Sequence, residues 1–450
     1  MLPASLLHSL EHTKGFDQKP FEEVHASGLQ VTSIRLNPGK PADMNAAWKM
    51  DGEVPWCRHG RYLAARPSFT LDPLFHAGAY YVQEASSMFL WHALEKTVGN
   101  DTQQKVLDLC AAPGGKSTLL ASYFTGGLVV ANEVIKARVN VLAENITKWG
   151  SSDVVVTNND PSHFQSLPGY FDVMVIDAPC SGSGLFRKDP DAVTEWSEQA
   201  VQLCCQRQQR ILSDALPALK EDGLLLYSTC SYSAEEDEDI ADWLVSAMNM
   251  ETVSLEPPPE WKIVETVSPQ KAAHGYRFYP DKLRGEGFYI AAFRKRSTTA
   301  GGRLKEQSLA APSKQETELL NRFIPIPAAY ALFSQSGNIR AIGQQWFNDL
   351  RILAACLYIK KAGTEIGAVK GKDLVPSHEL ALGFLPLQEM PAISLDRDQS
   401  LQYLRRKELL LPAGKGWSLV NYCGLPLGWV KVLPNRVNNY YPAEWRILKE

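Results

Sequence analysis

The segment KVLDLCAAPGGKS, residues 105–117, decides the fold class of this 450-residue chain. It opens with Val106–Leu109, a short and mostly apolar run that is typical of a buried strand. The residues that follow are small, so the backbone can approach a ligand closely, and a helix that begins after them offers unpaired N–H groups at its start. The segment therefore predicts a strand, a ligand-binding turn and a helix in succession.

The same alternation of strand and helix continues from about residue 71 to residue 297. The predicted strands are Val106–Leu109, Leu128–Ala131, Val154–Val156, Val173–Ile176, Leu224–Tyr227 and Phe288–Phe293. The predicted helices lie near residues 117–124, 136–147, 197–220 and 234–247. Strands that alternate with helices in this way are typical of βαβ units on a largely parallel sheet.

Polar or thiol-bearing side chains follow each of the first five strands. In an open parallel sheet, ligands bind beyond the carboxyl ends of the strands, so these residues should converge on one rim. They are Cys110–Ser117, Glu133, Asn159 with Asp160, Asp177–Gly182 and Ser228–Tyr232. Glu133 comes 25 residues after Asp108, at a place where an acid can accept both hydroxyls of a nucleoside ribose.

A phosphate-binding loop is the competing interpretation of the first turn. Gly115-Lys116-Ser117 matches the end of a P-loop, and the strand that ends in Asp177 resembles the apolar strand and acid that hold magnesium. However, the P-loop needs a glycine where Cys110 stands, and Pro113 has no backbone N–H for a phosphate. An adenosine-type cofactor that is held by its ribose therefore fits better.

The charged residues are unevenly distributed along the chain. Residues 1–300 hold 27 Lys and Arg against 37 Asp and Glu, a net of −10, whereas residues 301–450 hold 19 against 13, a net of +6. This asymmetry indicates either that the basic tail contacts nucleic acid or that surface charge simply varies between domains. With 45% hydrophobic and 21% charged residues, the composition is that of ordinary globular protein.

Several classes of protein are excluded by composition. The eight cysteines contain no C-x-x-C pair, so a zinc site is not expected and no metal is predicted. No apolar run approaches the roughly 18 residues of a membrane span, and the N-terminus lacks a basic region followed by an apolar stretch. These features predict a cytoplasmic protein with reduced thiols and without a membrane partner.

Three motifs resemble the signature of the RNA cytosine-5 methyltransferases of the Nol1/Nop2/Sun type. They are DLCAAPGGKS at 108–117, DAPCSG at 177–182 and STCSY at 228–232, and their order and spacing also agree with that family over roughly residues 75–297. Tyr80–Met88 resembles the segment that precedes the catalytic domain in the family. The tail from Pro434 to Pro442, with Trp445 and Arg446, is similar to the PUA-like module of bacterial 16S ribosomal RNA enzymes.

The resemblance implies an α/β fold, the class I S-adenosylmethionine-dependent methyltransferase fold. This is a Rossmann-like, seven-stranded mixed sheet with an N-terminal α+β domain and a C-terminal PUA-like β domain. The predicted divisions are a substrate-side domain at 1–74, a methyltransferase domain at 75–297, a linker at 298–315, a connecting domain at 316–388 and an RNA-binding PUA-like domain at 389–450.

The chemistry of such an enzyme requires an activated cysteine. Carbon 5 of cytosine is a weak nucleophile, and a thiolate that adds to carbon 6 makes it reactive. The resemblance implies that Cys230 is the attacking thiol, that Cys180 assists release, and that Asp177 orients and protonates the base. Lys116 is expected to pair with Asp177 and to help hold a catalytic thiolate, because a nearby cation lowers a thiol pKa.

S-Adenosylmethionine is the cofactor that the resemblance implies. The residues carried over are Cys110, Ala111, Ala112, Pro113, Gly114, Gly115 and Lys116 around its methionine end, Glu133 at the ribose, Asp160 near the adenine amine and Asp177 near the methyl donor. Asn159 could take the place of Asp160, because both residues end the third strand.

The implied substrate is RNA, most specifically 16S ribosomal RNA in or on the small subunit, methylated by a monomer. The same reaction on transfer RNA or 23S ribosomal RNA stays open. So does a catalytically idle RNA-binding assembly factor, which would keep the tail without needing Cys230. A DNA enzyme is disfavoured, because DNA cytosine-5 enzymes attack with the cysteine of a Pro-Cys motif, here Cys180, and Cys230 would then have no role.

Two further patterns carry weaker predictions. Ser233 and Glu236 have the spacing of a capping box, so the acidic run at 235–239 is interpreted as a helix start. Residues 271–296 interleave seven cationic residues with aromatic ones, a pattern that favours contact with RNA.

Overall fold

The computed structural model describes residues 2–44, 48–298, 302, 304–387, 390–409, 411 and 415–449. Part of the predicted linker, residues 299–301 and 303, lies outside the described residues, as does the predicted boundary between 388 and 389. None of the helices in the described ranges combines the length and the apolar character needed to cross a membrane.

The N-terminal region forms a small antiparallel sheet. Its elements are α1 (Ala4–Leu10), α2 (Gln18–Ala26), β1 (Thr32–Leu36), β2 (Met50–Glu53), β3 (Gly60–Leu63), α3 (Pro73–Ala77) and β4 (Tyr80–Val82). The strand order is β2-β3-β1-β4, so β1 is paired on both sides. Because β4 follows residue 74, this sheet extends past the predicted domain boundary, and the division of the chain into domains stays a prediction.

The central region alternates strands and helices. Its elements are α4 (Leu90–Thr97), β5 (Lys105–Asp108), α5 (Gly115–Tyr123), β6 (Leu128–Asn132), α6 (Lys136–Trp149), β7 (Val154–Thr157), β8 (Phe171–Asp177), α7 (Asp191–Glu195), α8 (Glu198–Ala215), β9 (Leu219–Thr229), α9 (Glu238–Ala247), β10 (Met250–Val253), β11 (Val264–Val267), β12 (His274–Phe278) and β13 (Phe288–Lys295).

The C-terminal region contains two small β-rich units. Their elements are α10 (Lys314–Phe323), β14 (Tyr330–Gln335), β15 (Asn338–Gly343), α11 (Phe347–Cys356), β16 (Ile359–Ala362), β17 (Thr364–Lys370), β18 (Asp373–Pro376), α12 (His378–Leu382), β19 (Ala392–Ser394), α13 (Arg397–Leu404), β20 (Gly416–Tyr422), β21 (Leu425–Leu433) and β22 (Arg436–Asn439). The sheets have the orders β14-β15-β17-β18 and β19-β20-β21-β22.

A ten-stranded mixed sheet positions the site. Its order is β11-β12-β13-β9-β8-β5-β6-β7-β16, with β10 paired to β13. β5 to β9 are parallel, and β13 runs antiparallel to β9. The predicted mixed sheet is confirmed, and it corresponds to β7-β6-β5-β8-β9-β13-β12 within the larger sheet. β10, β11 and β16 extend it, and β16 comes from the C-terminal region and pairs antiparallel with β7.

The strand residues are apolar because both faces of the sheet are covered. Val173 and Val175 enter one core cluster with α4, α5 and α6, whereas Met174 and Ile176 enter the other with α8, α9 and α11. This alternation follows from the two-residue period of a strand. A parallel sheet buried on both sides gives continuous apolar runs, which is why these strands were visible in the sequence.

The prediction that residues 271–296 contact RNA is wrong for the middle of the segment. Tyr276 and Phe278 are fully buried, because they lie on the sheet strand β12 and their side chains belong to the core. Tyr279, directly after β12, is also fully buried. The Arg277 guanidinium is also buried, and it pairs with Asp237 at 3.2 Å. In this middle part, the interleaved pattern therefore belongs to a folded interior and not to an RNA surface.

The three regions meet at the C-terminal end of α6. Lys40 is buried there, and its ammonium group donates to the carbonyls of Ala77, at 2.8 Å, and Lys148, at 2.6 Å. The backbone N–H of Phe384 donates to the carbonyl of Gly150 at 3.1 Å. Carbonyls at helix C-termini attract a cation, although burial lowers the pKa of Lys40 to about 7.

Two histidines at this junction predict a loss of stability in acid. Burial, with the charge of Lys148, lowers the pKa of His76 to about 4 and that of His378 to about 3. As the pH falls, the unfolded chain takes up both protons near pH 6.5, whereas the folded protein takes them up only near pH 4 and pH 3. The free energy of unfolding should therefore fall between about pH 6.5 and 4, by up to about 1.4 kcal/mol per pH unit for each histidine.

Thermal unfolding between pH 7.5 and 4.5 measures this effect. Both ring nitrogens of His378 are buried without a hydrogen-bond partner among the described residues, so His378→Phe removes the titration without removing a bond. We expect this variant to flatten the pH dependence and the exposed control His12→Gln to keep the wild-type slope. Identical slopes in all three proteins would contradict the assignment.

Candidate active site

The turn between β5 and α5 is held at the sheet rim by hydrogen bonds to the end of β6. Ala111 N–H donates to the carbonyl of Asn132 at 2.8 Å, and the Asn132 amide donates to the carbonyl of Leu109 at 3.1 Å. Gly114 is the N-cap residue directly before α5, and its φ of 114° is a conformation that favours glycine. These bonds hold the 110–116 loop against the end of β6.

Glu133, at the end of β6, is 3% exposed. Its Oε1 accepts from the backbone N–H of Ile135 at 2.8 Å, and its Oε2 lies 3.6 Å from Arg138. Val134 and Ile135 beside it are about half exposed. The carboxylate is thus held in place next to an apolar wall, an arrangement suited to a nucleoside.

The two residues at the end of β7 have different environments. Asp160 Oδ1 accepts from the backbone N–H of Ser162 at 3.1 Å, and its Oδ2 lies 3.7 Å from Arg210. Hydrogen bonds from Ser162 lower the pKa of Asp160. The Asn159 side chain is used elsewhere, because its amide donates to the carbonyl of Tyr358 at 3.1 Å and accepts from the N–H of Tyr358 at 3.0 Å. Of the two candidates, Asp160 is therefore the one that keeps an oxygen at the rim.

A cavity of about 470 Å³ lies along this rim. The predicted site residues that line it are Cys110, Ala112, Glu133, Asp177, Cys180 and Cys230. A second cavity, of about 200 Å³, is lined by Cys110, Ala111, Ala112, Pro113, Gly115, Lys116 and Asp177. Gly114 and Asp160 are in neither lining among the described residues, and Asp177 borders both cavities.

Asp177 ends β8 and is fixed from two sides. Lys116 Nζ lies 2.7 Å from its Oδ2, and the Ser228 hydroxyl donates to its Oδ1 at 2.8 Å. Lys116 Nζ also lies 5.2 Å from the centre of the Phe288 ring. The ion pair between Lys116 and Asp177 is the one that the sequence predicted.

The thiols of Cys180 and Cys230 lie 3.0 Å apart. They come from the loops after β8 and β9, which are neighbouring parallel strands, so their carboxyl ends meet at the same edge. The hydrogen bond with Cys230, together with burial, raises the pKa of Cys180 well above its usual range. Cys180 therefore keeps its proton and can donate it to Cys230 Sγ.

Close packing of glycines brings the two loops together. Gly184 N–H donates to the carbonyl of Cys230 at 2.8 Å. A Cβ at Gly184 would lie 2.8 Å from that carbonyl and 2.5 Å from the carbonyl of Gly287. A side chain at position 184 would therefore push the loop that carries Cys180 away from Cys230.

The capping-box prediction for Ser233 and Glu236 is wrong. The Ser233 side chain makes no capping hydrogen bond, and Ser233 Oγ is buried without a partner among the described residues. The Glu236 carboxylate instead accepts from Ser181 and Ser231, which follow the two cysteines. The Glu236 side chain, which the local pattern assigned to a helix start, is thus hydrogen-bonded to residues of other loops.

Asp108 is a candidate that motif comparison left out of the site. It is fully buried at the end of β5, and its Oδ2 accepts from the Ser117 hydroxyl at 2.6 Å. Its Oδ1 has no partner among the described residues. Burial raises the pKa of Asp108 to about 7, although Ser117 and Lys116 act in the opposite direction. Its position at a strand end, next to the loop, was the signal that could have identified it.

Groups of three or more His, Cys, Asp or Glu side chains that could hold a metal ion were not found in the described part of the chain.

Three family models match the chain. They are 16S rRNA methyltransferase RsmB/F at residues 96–294, the methyltransferase RsmF PUA domain at 391–447 and the N-terminal domain of 16S rRNA methyltransferase RsmF at 2–85.

Curated relatives are similar along most of their length. Ribosomal RNA small subunit methyltransferase F of Aliivibrio salmonicida is 31% identical over 415 residues, which are 88% of this chain and 86% of the relative. The protein of the same name from Shewanella piezotolerans is 30% identical over 447 residues, 92% of this chain and 90% of the relative.

Solved structures share the fold. A methyltransferase homolog from Pyrococcus horikoshii is 27% identical with a TM-score of 0.52, over 65% of this chain and 100% of that one. NSun6 of the same organism, crystallised with SFG, is 18% identical with a TM-score of 0.54, over 66% of this chain and 98% of that one, which is a likeness of fold. The family models and the curated relatives show that the chain belongs to the RsmF family of S-adenosylmethionine-dependent RNA methyltransferases.

Proposed function

We propose that the protein methylates carbon 5 of a cytosine in small-subunit ribosomal RNA, through a covalent adduct between Cys230 and carbon 6 of the base. The observation that carries this proposal is the pair of thiols, Cys180 and Cys230, 3.0 Å apart on the rim that also holds Asp177. One thiol is enough to add to a base, and a second thiol in contact with it can exchange a proton with it.

The residues of the rim fit S-adenosylmethionine, whose sulfonium and ammonium groups are positively charged. Asp108, which precedes the 110–116 loop, has a buried oxygen that no described residue satisfies, and Glu133 and Asp177 line the cavity of about 470 Å³. We expect Asp108 to face the methionine end, Glu133 to accept from the ribose hydroxyls and Ile135 to contact the adenine, with Asp160 near the adenine amine. When bound, the cofactor supplies an electrophilic methyl group.

Asp177 prepares the base for attack. Lys116 and Ser228 hold its carboxyl group in one orientation, so that it can hydrogen-bond to N3 of the cytosine. Cys230 first loses its thiol proton to water. As the bond between Cys230 Sγ and carbon 6 forms, N3 takes a proton that the Lys116 ammonium group supplies through the Asp177 carboxylate, and carbon 5 becomes enamine-like. Carbon 5 then accepts the methyl group.

Cys180 acts at the release step. The proton on carbon 5 must leave, its electron pair forms the double bond to carbon 6, and the bond from carbon 6 to Cys230 breaks. Cys180 gives its proton to the departing Cys230 sulfur, and the resulting Cys180 thiolate takes the proton from carbon 5. N3 returns its proton through Asp177 to Lys116, so the methylated base leaves neutral.

Three observations support ribosomal RNA as the substrate. The curated relatives carry the name of small-subunit ribosomal RNA enzymes, the PUA family model matches the tail, and residues 301–450 have a net charge of +6. Extruding a base from its stack costs a few kcal/mol and is easiest in loops and junctions, where we expect the target cytosine. This role implies a cytoplasmic protein, and we expect it to act as a monomer.

Bisulfite sequencing of ribosomal and transfer RNA from cells with and without the protein tests the proposal. We expect one or a few cytosines of 16S ribosomal RNA to resist conversion only when the protein is present, because 5-methylcytosine is not deaminated. A protein-dependent site in transfer RNA or 23S ribosomal RNA would replace the substrate but keep the chemistry. RNA with no protein-dependent site would favour an idle assembly factor.

A further inference from the structure

Glu236 is a buried acid that the reaction steps above do not use. It is 0% exposed, and its carboxylate accepts four hydrogen bonds. The donors are the Ser181 N–H at 2.8 Å, the Ser181 hydroxyl at 2.5 Å, the Ser231 hydroxyl at 2.6 Å and the Gln208 amide at 3.3 Å. Four hydrogen bonds hold the position of this carboxylate relative to the residues around it.

Three of the four donors belong to the two loops that carry the thiols, and the fourth, Gln208, lies on α8. Ser181 directly follows Cys180, and Ser231 directly follows Cys230. One carboxylate therefore holds the residue next to each cysteine, and through them it sets the spacing between the two sulfur atoms.

Glu236 is itself held by residues of β9 and α8. The Tyr227 hydroxyl donates to the Glu236 carbonyl at 2.7 Å and to the Gln208 side-chain oxygen at 3.1 Å. The Gln208 amide also donates to the carbonyl of Pro179, in the loop that carries Cys180, at 3.1 Å. Glu236 is thus bonded to β9 and α8, which are regular elements. It can therefore fix the positions of the two loops.

A carboxylate suits this position better than an amide does. An ionised carboxylate only accepts hydrogen bonds, so all four donors are satisfied, whereas a glutamine would turn an N–H₂ group toward donors. Burial raises the pKa of Glu236, and the hydrogen bonds from Ser181, Ser231 and Gln208 act in the opposite direction, so these bonds are what favour the ionised carboxylate. That charge acts on Cys180 and helps to raise the pKa of its thiol.

We propose that Glu236 is a positioning residue that holds Cys180 and Cys230 at proton-transfer distance. The inference rests on the proposed function in assigning chemistry to the two thiols. A purely structural role would predict that replacing Glu236 lowers stability while each surviving folded molecule keeps the reactivity of both cysteines.

The test compares full-length Glu236→Gln and Glu236→Asp with the wild type and with Glu235→Gln, a matched control one residue away. Alkylation of each cysteine by iodoacetamide is followed by mass spectrometry as a function of pH, and single-turnover methylation of ribosomal RNA is measured on the same preparations. Melting temperatures record how much of each variant is folded.

We expect Glu236→Gln to lower the pH at which Cys180 is alkylated, because the negative charge and the contact with Cys230 are both weakened. Methylation should fall about 10²-fold, since a misplacement of about 1 Å can cost that much. Glu236→Asp keeps the charge with a shorter reach, so it should restore the alkylation profile in part and lose about tenfold in rate. Glu235→Gln should match the wild type.

The proposal is overturned if the alkylation profile and rate of folded Glu236→Gln match those of Glu235→Gln. If Glu236→Gln does not fold, the decision rests on Glu236→Asp, and a wild-type Cys180 profile in that variant overturns the proposal. If neither the wild type nor any variant methylates RNA, the proposed function is wrong. The alkylation profiles still decide whether Glu236 positions the thiols.

Discussion

Cys230→Ser should reduce the rate of methylation by at least about 10³-fold, because the variant lacks the thiolate that adds to carbon 6. A serine hydroxyl is almost never ionised near neutral pH, so it cannot replace the thiolate. The cofactor's main contacts are expected at Glu133 and the 110–116 loop, so its dissociation constant should stay within about threefold of the wild-type value. Incorporation of labelled methyl groups and calorimetric titration of S-adenosylmethionine measure the two quantities separately.

The control for this experiment is Cys423→Ser, which makes the same chemical change at an exposed thiol. This control should methylate RNA at the wild-type rate. Turnover by Cys230→Ser at a rate comparable to that of the control would refute the role of Cys230. A variant that loses both turnover and cofactor binding would instead point to a damaged cavity.

Cys180→Ser should trap the enzyme on its substrate. Without the Cys180 thiol, the Cys230 sulfur has no proton donor 3.0 Å away and the carbon 5 proton has no acceptor beside it, so the adduct forms but does not resolve. Loss of a general acid–base group costs about 10² to 10⁴ in rate. A covalent protein–RNA species should therefore accumulate and migrate slowly on a denaturing gel.

The double variant Cys180→Ser/Cys230→Ser is the control, since it can form no adduct through Cys230 and should show no slow band. If Cys180→Ser alone gives no slow band while it still binds RNA, Cys180 has another role. A slow band in Cys230→Ser would exchange the two assignments and make Cys180 the attacking residue.

Much of the rim could be predicted from the sequence because it depends on local patterns. Apolar runs identified the five parallel strands, and the topology of a parallel sheet brings the residues after them to one edge. Glu133, Asp177 and the two cysteines follow from that rule together with the motif resemblance. The pair formed by Lys116 and Asp177 was also predictable, because a long cationic side chain on the first turn of α5 can reach the end of the neighbouring β8.

Features that depend on tertiary packing could not be predicted. Ser233 and Glu236 have the spacing of a capping box, but the donors that claim the Glu236 carboxylate come from loops distant in sequence, such as that of Ser181. The local sequence predicts that Arg277 is a surface cation, but it is buried and pairs with Asp237 and Glu238. In both cases the local pattern is genuine, and long-range partners have overridden it.

The pairing of β16 with β7 limits where the chain can be truncated. β7 would otherwise be an outer strand with unpaired N–H and C=O groups, the kind of surface that other strands can join. A C-terminal segment closes it, so a fragment that ends near residue 297 would carry every proposed catalytic residue and still expose this ladder. Such a fragment should self-associate, whereas in the full chain β16 covers this edge of the sheet.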